Sequence, residues 1–144
     1  MDTVNLFENY ESLPSLEGAS PAALAKAIAE VLDAKKGGGI SVLHIGKKTV
    51  LADYFVICTG GSNTQIKSLA DEVEYRIGTR GVSPAHVEGR DNGTWSVLDY
   101  SSVIVHIFSR DAREFYKLEK LWADAEEVDP SGLGDTEKNE DEAI

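Results

Sequence analysis

The stretch YFVICTGGSNTQIKSLADEV, residues 54–73, holds a strand, a turn and a helix in immediate succession. Its first six residues are apolar at both alternating sets of positions, which is typical of a strand covered on both faces. Gly60 and Gly61 break this strand, and Ser62 or Asn63 can cap the helix that follows. An apolar stripe runs along that helix, formed by Ile66, Leu69, Ala70, Val73 and Ile77. The stretch therefore predicts a sheet packed against a helix.

The residues before this stretch predict a second helix and a second strand. Ser20 supplies an N-cap hydroxyl, and Pro21 is the favoured first helical residue. Apolar residues at helical spacing extend the helix to about Lys36; they are Leu24, Ile28, Val31 and Leu32. Three glycines at 37–39 end it. ISVLHI, residues 40–45, has the composition of a strand.

Three further strands are expected downstream: PAHVE (84–88), WSVLDY (95–100) and VIVHIF (103–108). The Asn92-Gly93 pair between the first two is a favoured hairpin turn. The order along the chain is then helix, strand, strand, helix, three strands, helix. This order predicts a single α/β domain, in which flanking helices pack on a mixed sheet of about five strands.

The net charge of −11 lies in the two ends of the chain. Residues 1–20 have four acids and no base, and residues 123–144 have nine acids and one lysine. We therefore expect a flexible N-terminal arm over 1–20, a folded domain over 21–122 and an acidic, disordered tail over 123–144. The near-neutral body argues against a protein that grips nucleic acid mainly through its phosphates.

The sequence also favours a particular cellular compartment. It has no run of about 18 apolar residues, and acids stand near the N-terminus where a leader peptide needs lysine or arginine. We therefore expect a cytoplasmic protein with no membrane partner. Cys58 is the only cysteine, and its apolar neighbours predict a small buried thiol in a reducing compartment.

The turn TGGSNTQ, residues 59–65, is the first place to look for enzyme chemistry, because Gly-rich strand-to-helix turns can hold an anion. It matches neither dinucleotide-binding nor P-loop spacing. A Gly-Ser turn also opens nucleotidyltransferase active sites, but those need paired carboxylates for a metal ion. The nearby acids, Asp71, Glu72 and Glu74, fall inside the predicted helix, and Asp99 has no second acid two residues away. We therefore favour a tight turn without a ligand, and no catalytic, cofactor-binding or metal-binding residue.

The three histidines, His44, His86 and His106, occur singly in strand-like segments, without the close spacing of a local metal site. His106 lies within VIVHIF, so we expect a core or sheet-edge imidazole with one hydrogen-bonded nitrogen. A catalytic role for His106 is the weaker alternative.

The last helix carries a wider apolar arc than a helix needs to cover its own core. At 100° per residue, the apolar side chains of a continuous helix from Ala112 to Trp122 span an arc of about 220°. A helix that covers only its own core needs roughly 100° or somewhat more. Glu119 lies inside the arc and needs a cationic partner from this chain or a neighbouring one. A second surface would cover the excess, unless Trp122 folds back over the sheet edge.

Strand alternation divides WSVLDY between the two faces of the sheet. It sends Trp95, Val97 and Asp99 to one side and Ser96, Leu98 and Tyr100 to the other. Because only one face can hold the main core, an aromatic side chain near one end of the strand is expected to be partly exposed. Exposed Trp and Tyr are enriched where binding energy concentrates.

These segments together resemble the ribosomal silencing factors, the Iojap family, from about Ala22 to Trp122. The resemblance rests on ADYFVICTGGSNTQIKSLADEV and HVEGRDNGTWSVLDYSSVIVHIFSRDAREFYKLEKLW, and on the spacing between them. Individual matching positions are Asp53, Ser62, Gln65, Glu88-Gly89, Trp95, Asp99 and Tyr116 with LEKLW. The arm and the acidic tail lie outside it.

The resemblance implies a translation factor without enzymatic activity. Its members bind the large ribosomal subunit through the fourteenth protein of the large-subunit series, on the intersubunit face, and sterically block joining of the small subunit. The implied fold is related to nucleotidyltransferases but lacks their catalytic acids, and members are often homodimers. The expected ribosomal contacts are Trp95, Asp99, Tyr100 and Tyr116, with Leu118 and Trp122 as neighbours or dimer contacts. Little direct contact with nucleic acid is expected.

Two other functions remain open from the sequence. One is a nucleotide-binding or nucleotidyl-transferring enzyme that uses the Gly60-Gly61-Ser62 turn. The other is a dimerisation module whose terminal helix pairs only with itself.

Overall fold

A six-stranded mixed sheet organises the residues that the computed structural model describes, which are 13–47, 49–89 and 93–133. The strands are β1 (Gly38–His44), β2 (Tyr54–Gly60), β3 (His86–Glu88), β4 (Trp95–Asp99), β5 (Val103–Ser109) and β6 (Glu126–Val128). The helices are α1 (Pro21–Ala34), α2 (Asn63–Thr79), α3 (Arg110–Tyr116) and α4 (Leu118–Leu121), and a 3-10 turn spans Pro130–Gly132.

The strands follow the order β3-β4-β5-β2-β1-β6. Strands β2 and β5 pair in parallel, from Tyr54 opposite Val103 to Gly60 opposite Ser109, and every other pairing is antiparallel. The predicted mixed α/β sheet is confirmed, with β6 as an additional strand. Because β2 and β5 run in the same direction, their carboxyl ends meet at one edge of the sheet, where α2 and α3 begin.

The predicted helix starts are confirmed in detail. The Ser20 hydroxyl accepts a hydrogen bond from the N–H of Ala23 at 3.1 Å, and Ser62 caps α2 in the same way. Helix α1 ends at Ala34, two residues before the expected end at Lys36. The earlier end has a local cause, because Lys36 adopts a left-handed conformation with φ 68°.

The two faces of the sheet are covered unequally. Helices α1 and α2 pack on one face and form the main core, which contains most of the buried apolar residues. Cys58 is fully buried there, as predicted, and burial raises the pKa of its thiol to about 11. The other face carries a smaller core beneath the short helices α3 and α4. It consists of Leu43, Ile45, Ala52, Phe55, Ile57, Phe108 and Ala112.

The expectation of a disordered tail from residue 123 is wrong for the part that the structure describes. Residues 126–128 form β6 and pair with β1, with Val128 opposite Val42. Leu133 is only 8% exposed and packs into the main core. Burial of these apolar side chains offsets the entropy of ordering the acidic segment. Residues 134–144 lie outside the described residues.

The N-terminal arm also departs from expectation where it is described. The Leu16 side chain is 6% exposed and belongs to the main core, and its N–H donates to the Arg80 carbonyl at 2.7 Å. The Arg80 side chain in turn donates to the Pro14 carbonyl at 2.9 Å. The arm is therefore docked over 13–20, whereas the predicted flexibility of residues 1–12 concerns residues outside the described part.

Docking of the arm should contribute measurably to the free energy of unfolding. We expect Leu16→Ala to lower the free energy of unfolding by about 2 to 4 kcal/mol, because it leaves a cavity in the core. The matched variant Leu13→Ala removes the same atoms from a side chain that is 39% exposed, and should cost less than about 1 kcal/mol. Urea denaturation followed by circular dichroism measures both, and equal losses would contradict docking of the arm.

Candidate functional site

The predicted terminal helix is broken at Lys117. Helix α3 ends at Tyr116, Lys117 takes a left-handed conformation with φ 49° and ψ 51°, and α4 then continues for one turn. The prediction of one continuous helix from Ala112 to Trp122 is therefore wrong. The calculated arc of about 220° no longer applies, because it included Leu118, Leu121 and Trp122, which lie beyond the break.

An ion pair across the break accounts for this change. The Arg113 Nε donates to Glu119 Oε2 at 3.1 Å, and Arg113 Nη1 donates to the Thr59 hydroxyl at 2.8 Å. Residues six apart on a straight helix are separated by roughly 120° around its axis and cannot pair in this way. The left-handed residue between them brings Glu119 onto the guanidinium. The predicted need of Glu119 for a cationic partner is thus confirmed, within this chain.

An aromatic cluster lies on the face of the sheet that α3 and α4 only partly cover. The Tyr116 ring packs on Trp95 with centroids 4.7 Å apart, and Trp95 packs on Phe108 at the same distance. Phe55 extends the cluster to Trp122 at 5.7 Å. Together with His106, these residues form one group of contacting rings anchored in β2, β4 and β5.

The surface over this cluster exposes large apolar side chains. Phe115, Tyr116 and Leu121 are exposed by 77%, 53% and 75%, while Leu118 and Trp122 are half-buried against the smaller core. We call this surface the open face, defined by Trp95, Val97, Asp99, Ile104, Phe115, Tyr116, Leu118, Leu121 and Trp122. Other exposed large apolar residues, Leu13, Val50, Leu51 and Tyr75, lie on other elements.

The structure brings five of the six predicted contact residues to the open face. Trp95, Tyr116 and Trp122 belong to the aromatic cluster, and Leu118 packs beside it. Asp99 lies at the far end of β4 on the same face. Its Oδ1 accepts a hydrogen bond from the N–H of Ser101 at 2.7 Å, which holds the tight turn between β4 and β5.

Tyr100 does not belong to this surface. Its side chain is 6% exposed and packs in the main core, on the opposite face of the sheet from Trp95. The reason is the alternation of β4, which sends Ser96, Leu98 and Tyr100 to the same side. The expectation of a contact through Tyr100 therefore fails, because the ring would have to leave the core to reach a partner.

His106 supports the cluster from beneath. The Trp95 indole N–H donates to His106 Nδ1 at 3.1 Å, and the imidazole is 7% exposed, so the predicted buried histidine with one bonded nitrogen is confirmed. Because an indole nitrogen can only donate, Nδ1 is unprotonated and the neutral ring carries its proton on Nε2. Burial lowers the pKa of His106 from 6.5 to about 4.

The Gly60-Gly61-Ser62 turn uses its polar groups internally. The Gly61 N–H donates to Gln65 Oε1, the Gln65 amide donates to the Lys36 carbonyl at 3.2 Å, and the Ser62 hydroxyl is occupied by the α2 cap. Glu72 lies on α2 and pairs with Arg76 at 2.7 Å. Within the described ranges, no group of three or more His, Cys, Asp and Glu residues is arranged to hold a metal ion.

A second feature lies beside this turn. An open cleft of about 630 Å³ is bounded by the carboxyl ends of β2 and β5, the start of β1, and helices α3 and α4. We call it the basic cleft, after its cations Lys36, Arg110, Arg113, Lys117 and Lys120. Four of these cations lie within residues 110–120, whereas Lys36 follows α1, on the other side of β1 and β2 in the sequence. Only the sheet topology joins these distant segments.

The fold and the open face define an α/β protein that presents an aromatic surface on one side of its sheet. A family model described as "Ribosomal silencing factor during starvation" matches residues 18–144. The chain belongs to this family.

Individual relatives agree with the assignment. The "Ribosomal silencing factor RsfS" of Haemophilus influenzae is 40% identical over 101 residues, which is 70% of this chain and 99% of that protein. The protein of the same name from Bacillus subtilis is 36% identical over 102 residues, 71% of this chain and 86% of its own. A crystal structure of a Chromobacterium violaceum protein superposes with a TM-score of 0.68 at 34% identity, covering 69% of this chain and 83% of that one.

Among the residues that the structure describes, no helix has the length and apolar character to cross a membrane.

The buried His106 predicts that stability falls in mild acid. Its pKa is lower in the folded protein than in the unfolded chain, so the unfolded chain takes up the proton first as the pH falls from 6.5 to 4. We expect this group to remove about 3 kcal/mol from the free energy of unfolding over that interval, since one pKa unit corresponds to about 1.4 kcal/mol.

Chemical denaturation at several pH values tests this expectation. His106→Gln, which keeps an acceptor for the Trp95 indole, should show a shallower decline between pH 6.5 and pH 4. The control His86→Gln changes an exposed imidazole and leaves His106 intact. The loss of stability that His106 causes between pH 6.5 and pH 4 should therefore remain in this variant. An unchanged slope in His106→Gln would show that the protonation of this ring is not the cause.

Proposed function

We propose that the protein is a non-enzymatic translation repressor that acts in the cytoplasm on the large ribosomal subunit. It docks on a protein of the intersubunit face, the fourteenth of the large-subunit series, and sterically blocks joining of the small subunit. The family supports a role at the ribosome. The resemblance of Trp95, Asp99 and Tyr116 to the family pattern supports this partner.

The observation that carries the proposal is the open face. Tyr116 is half-exposed yet braced by Trp95 at 4.7 Å, and Phe115 contacts Tyr116 with centroids 5.0 Å apart. A side chain held in place before binding loses little conformational entropy on docking. Exposed aromatic anchors in a packed setting are typical of the few residues that dominate interface energies.

The charge of this surface also fits a protein partner. Its anchors are uncharged rings and aliphatic side chains, apart from Asp99 at one end. Such a surface is matched by apolar area on another protein, whereas phosphates are recognised by cations. A protein target needs no cluster of cations on the surface that binds it. It is therefore compatible with an open face that is not basic, on a chain with net charge −11.

The blocking mechanism requires occupancy and no bond chemistry. Once the open face is docked, the main-core side with α1 and α2 projects away from the contact, into the space that a small subunit would occupy. Inhibition then depends on the affinity and concentration of the protein, as for any ligand that competes for one surface. The homodimer that the family resemblance implies would use Leu118 and Trp122, which also belong to the open face.

Two tyrosines with the same exposure allow a matched test of the docking face. Tyr116 on the open face and Tyr75 on α2 are each 53% exposed. We expect Tyr116→Ala to weaken binding to isolated large subunits by about tenfold or more, because it removes an interface anchor. Tyr75→Ala should bind as the wild type does, since α2 lies on the other side of the sheet. Co-sedimentation with purified large subunits measures both affinities.

The same samples test the repressor function when small subunits are added last and the fraction of complete ribosomes is measured. The wild type and Tyr75→Ala should reduce the fraction of complete ribosomes, whereas Tyr116→Ala should not do so at the same concentration. Equal binding by folded Tyr116→Ala and Tyr75→Ala would remove the open face as the docking site. Sedimentation velocity of the free proteins reports whether the dimer contact involves the open face.

A further inference from the structure

The basic cleft concentrates positive charge on an acidic protein. Five cations line it against two carboxylates, Glu114 and Glu119, and Glu119 is already paired with Arg113. Over the described ranges, the four remaining cations, Lys36, Arg110, Lys117 and Lys120, have no ion-pair partner within 4 Å. The overall net charge of −11 therefore conceals a local excess of cations that nothing described in the chain neutralises.

The position of the cleft also favours a ligand. It lies outside the carboxyl ends of the parallel strands β2 and β5, where open α/β sheets bind their ligands. Its lining includes three glycines, Gly38, Gly39 and Gly61; the Arg113 side chain lies against Gly39, and Gln65 occupies the Gly61 N–H. An anion in the cleft would therefore be held by the side-chain cations around it and not by free backbone N–H groups of this turn.

Two of the cleft lysines are held in a costly backbone conformation. Lys36 and Lys117 have φ of 68° and 49°, and Ser101 is the one other non-glycine residue with positive φ in the described ranges. Glycine adopts this conformation more readily than lysine, and strained residues cluster at functional sites. A lysine at both positions places two extra charges at the cleft at some cost in stability.

The lining indicates which anion the cleft recognises. Its side chains are Lys, Arg, Glu, Gln and Thr, and no aromatic or aliphatic side chain is among them. A site for a free nucleotide usually stacks or buries the base, and this lining offers no platform for one. Contacts made only to phosphates are typical of proteins that hold a nucleic-acid backbone without reading its sequence.

We propose that the basic cleft binds the sugar–phosphate backbone of RNA. The inference rests on the proposed function for the source of that RNA, which would be the large subunit beside the docked protein. Lys117 stands between Tyr116 and Leu118 of the open face, so docking of the aromatic face brings the cleft to the neighbouring ribosomal surface. The net charge of the whole chain predicts little contact with nucleic acid. The basic cleft would add one local contact that the net charge does not reveal.

The test uses the full chain and a fluorescently labelled RNA strand of about 12 mixed-sequence nucleotides, a length within the usual site size for single strands. Fluorescence anisotropy should show salt-dependent binding, with an affinity that falls steadily as salt rises. The double variant Lys117→Gly/Lys120→Gln should bind at least about fivefold more weakly. Its melting temperature should not fall, because glycine relieves the strain at position 117.

A matched control separates the cleft from the general effect of charge. Lys26→Gln/Lys67→Gln removes the same two charges from α1 and α2, and should retain RNA affinity within about twofold. An equal loss of RNA binding in both double variants would overturn the proposal, and so would unchanged binding in the cleft variant.

Competitors distinguish the possible anions. RNA should displace the labelled strand more effectively than pyrophosphate, ATP or polyglutamate at equal charge concentration. Displacement by pyrophosphate or ATP at lower concentration than RNA would mark a small-anion site, and equal displacement by polyglutamate would mark a site for acidic protein segments. Either result would overturn an RNA site.

The outcome also separates this inference from the proposed function. Tyr116→Ala should keep its affinity for free RNA, because Tyr116 does not line the cleft. If Tyr116→Ala bound large subunits normally while the cleft variant lost RNA binding, the docking face would be wrong and the RNA site would stand. If the cleft variant bound RNA normally while Tyr116→Ala lost subunit binding, the RNA site would be wrong and the docking face would stand.

Discussion

The parallel pairing of β2 and β5 is the constraint on which the rest of the structure depends. Both strands are buried, and their register from Tyr54–Val103 to Gly60–Ser109 sets the position of everything attached to them. Helix α2 leaves the end of β2 toward the main core, and α3 leaves the end of β5 toward the opposite face. One pair of strands thus creates two unequal faces and the cleft between their outgoing helices.

The unequal covering of the two faces leaves an apolar surface available for the partner proposed above. The main core is covered by the long helices α1 and α2 together with Leu16 and Leu133, but α3 and α4 have only seven and four residues. These two helices leave β4 partly uncovered, and the aromatic cluster covers the remaining surface only in part. The Arg113–Glu119 pair fixes the bend between the two helices, so that Trp122 turns inward while Phe115 and Leu121 stay in solvent.

Local patterns were sufficient to predict most of this fold. Apolar periodicity and capping residues identified α1, α2 and the central strands, because each depends on contiguous residues. Strand β6 was missed because Val128 is its single apolar residue, and because its pairing with β1 is a non-local contact in an acidic segment. The bend at Lys117 was missed because a left-handed lysine carries no sequence signal of the kind that glycine gives.

The candidate site was predictable to a similar extent. Strand alternation correctly separated Trp95 from Tyr100, and the same alternation should have excluded Tyr100 from a surface that includes Trp95. The basic cleft could not be foreseen, since its cations come from the end of α1 and from the chain after β5. Such a site exists only once the sheet has brought these segments together.

If the protein acts as we propose, the ribosome covers the open face. Hydroxyl-radical footprinting tests it directly, by comparing the oxidation of individual side chains in the free protein and in its complex with large subunits. Oxidation of Phe115 and Tyr116 should fall on binding, while oxidation of Tyr75 on α2, which is as exposed as Tyr116, should stay unchanged. Protection of Tyr75, with Phe115 and Tyr116 still oxidised, would contradict it.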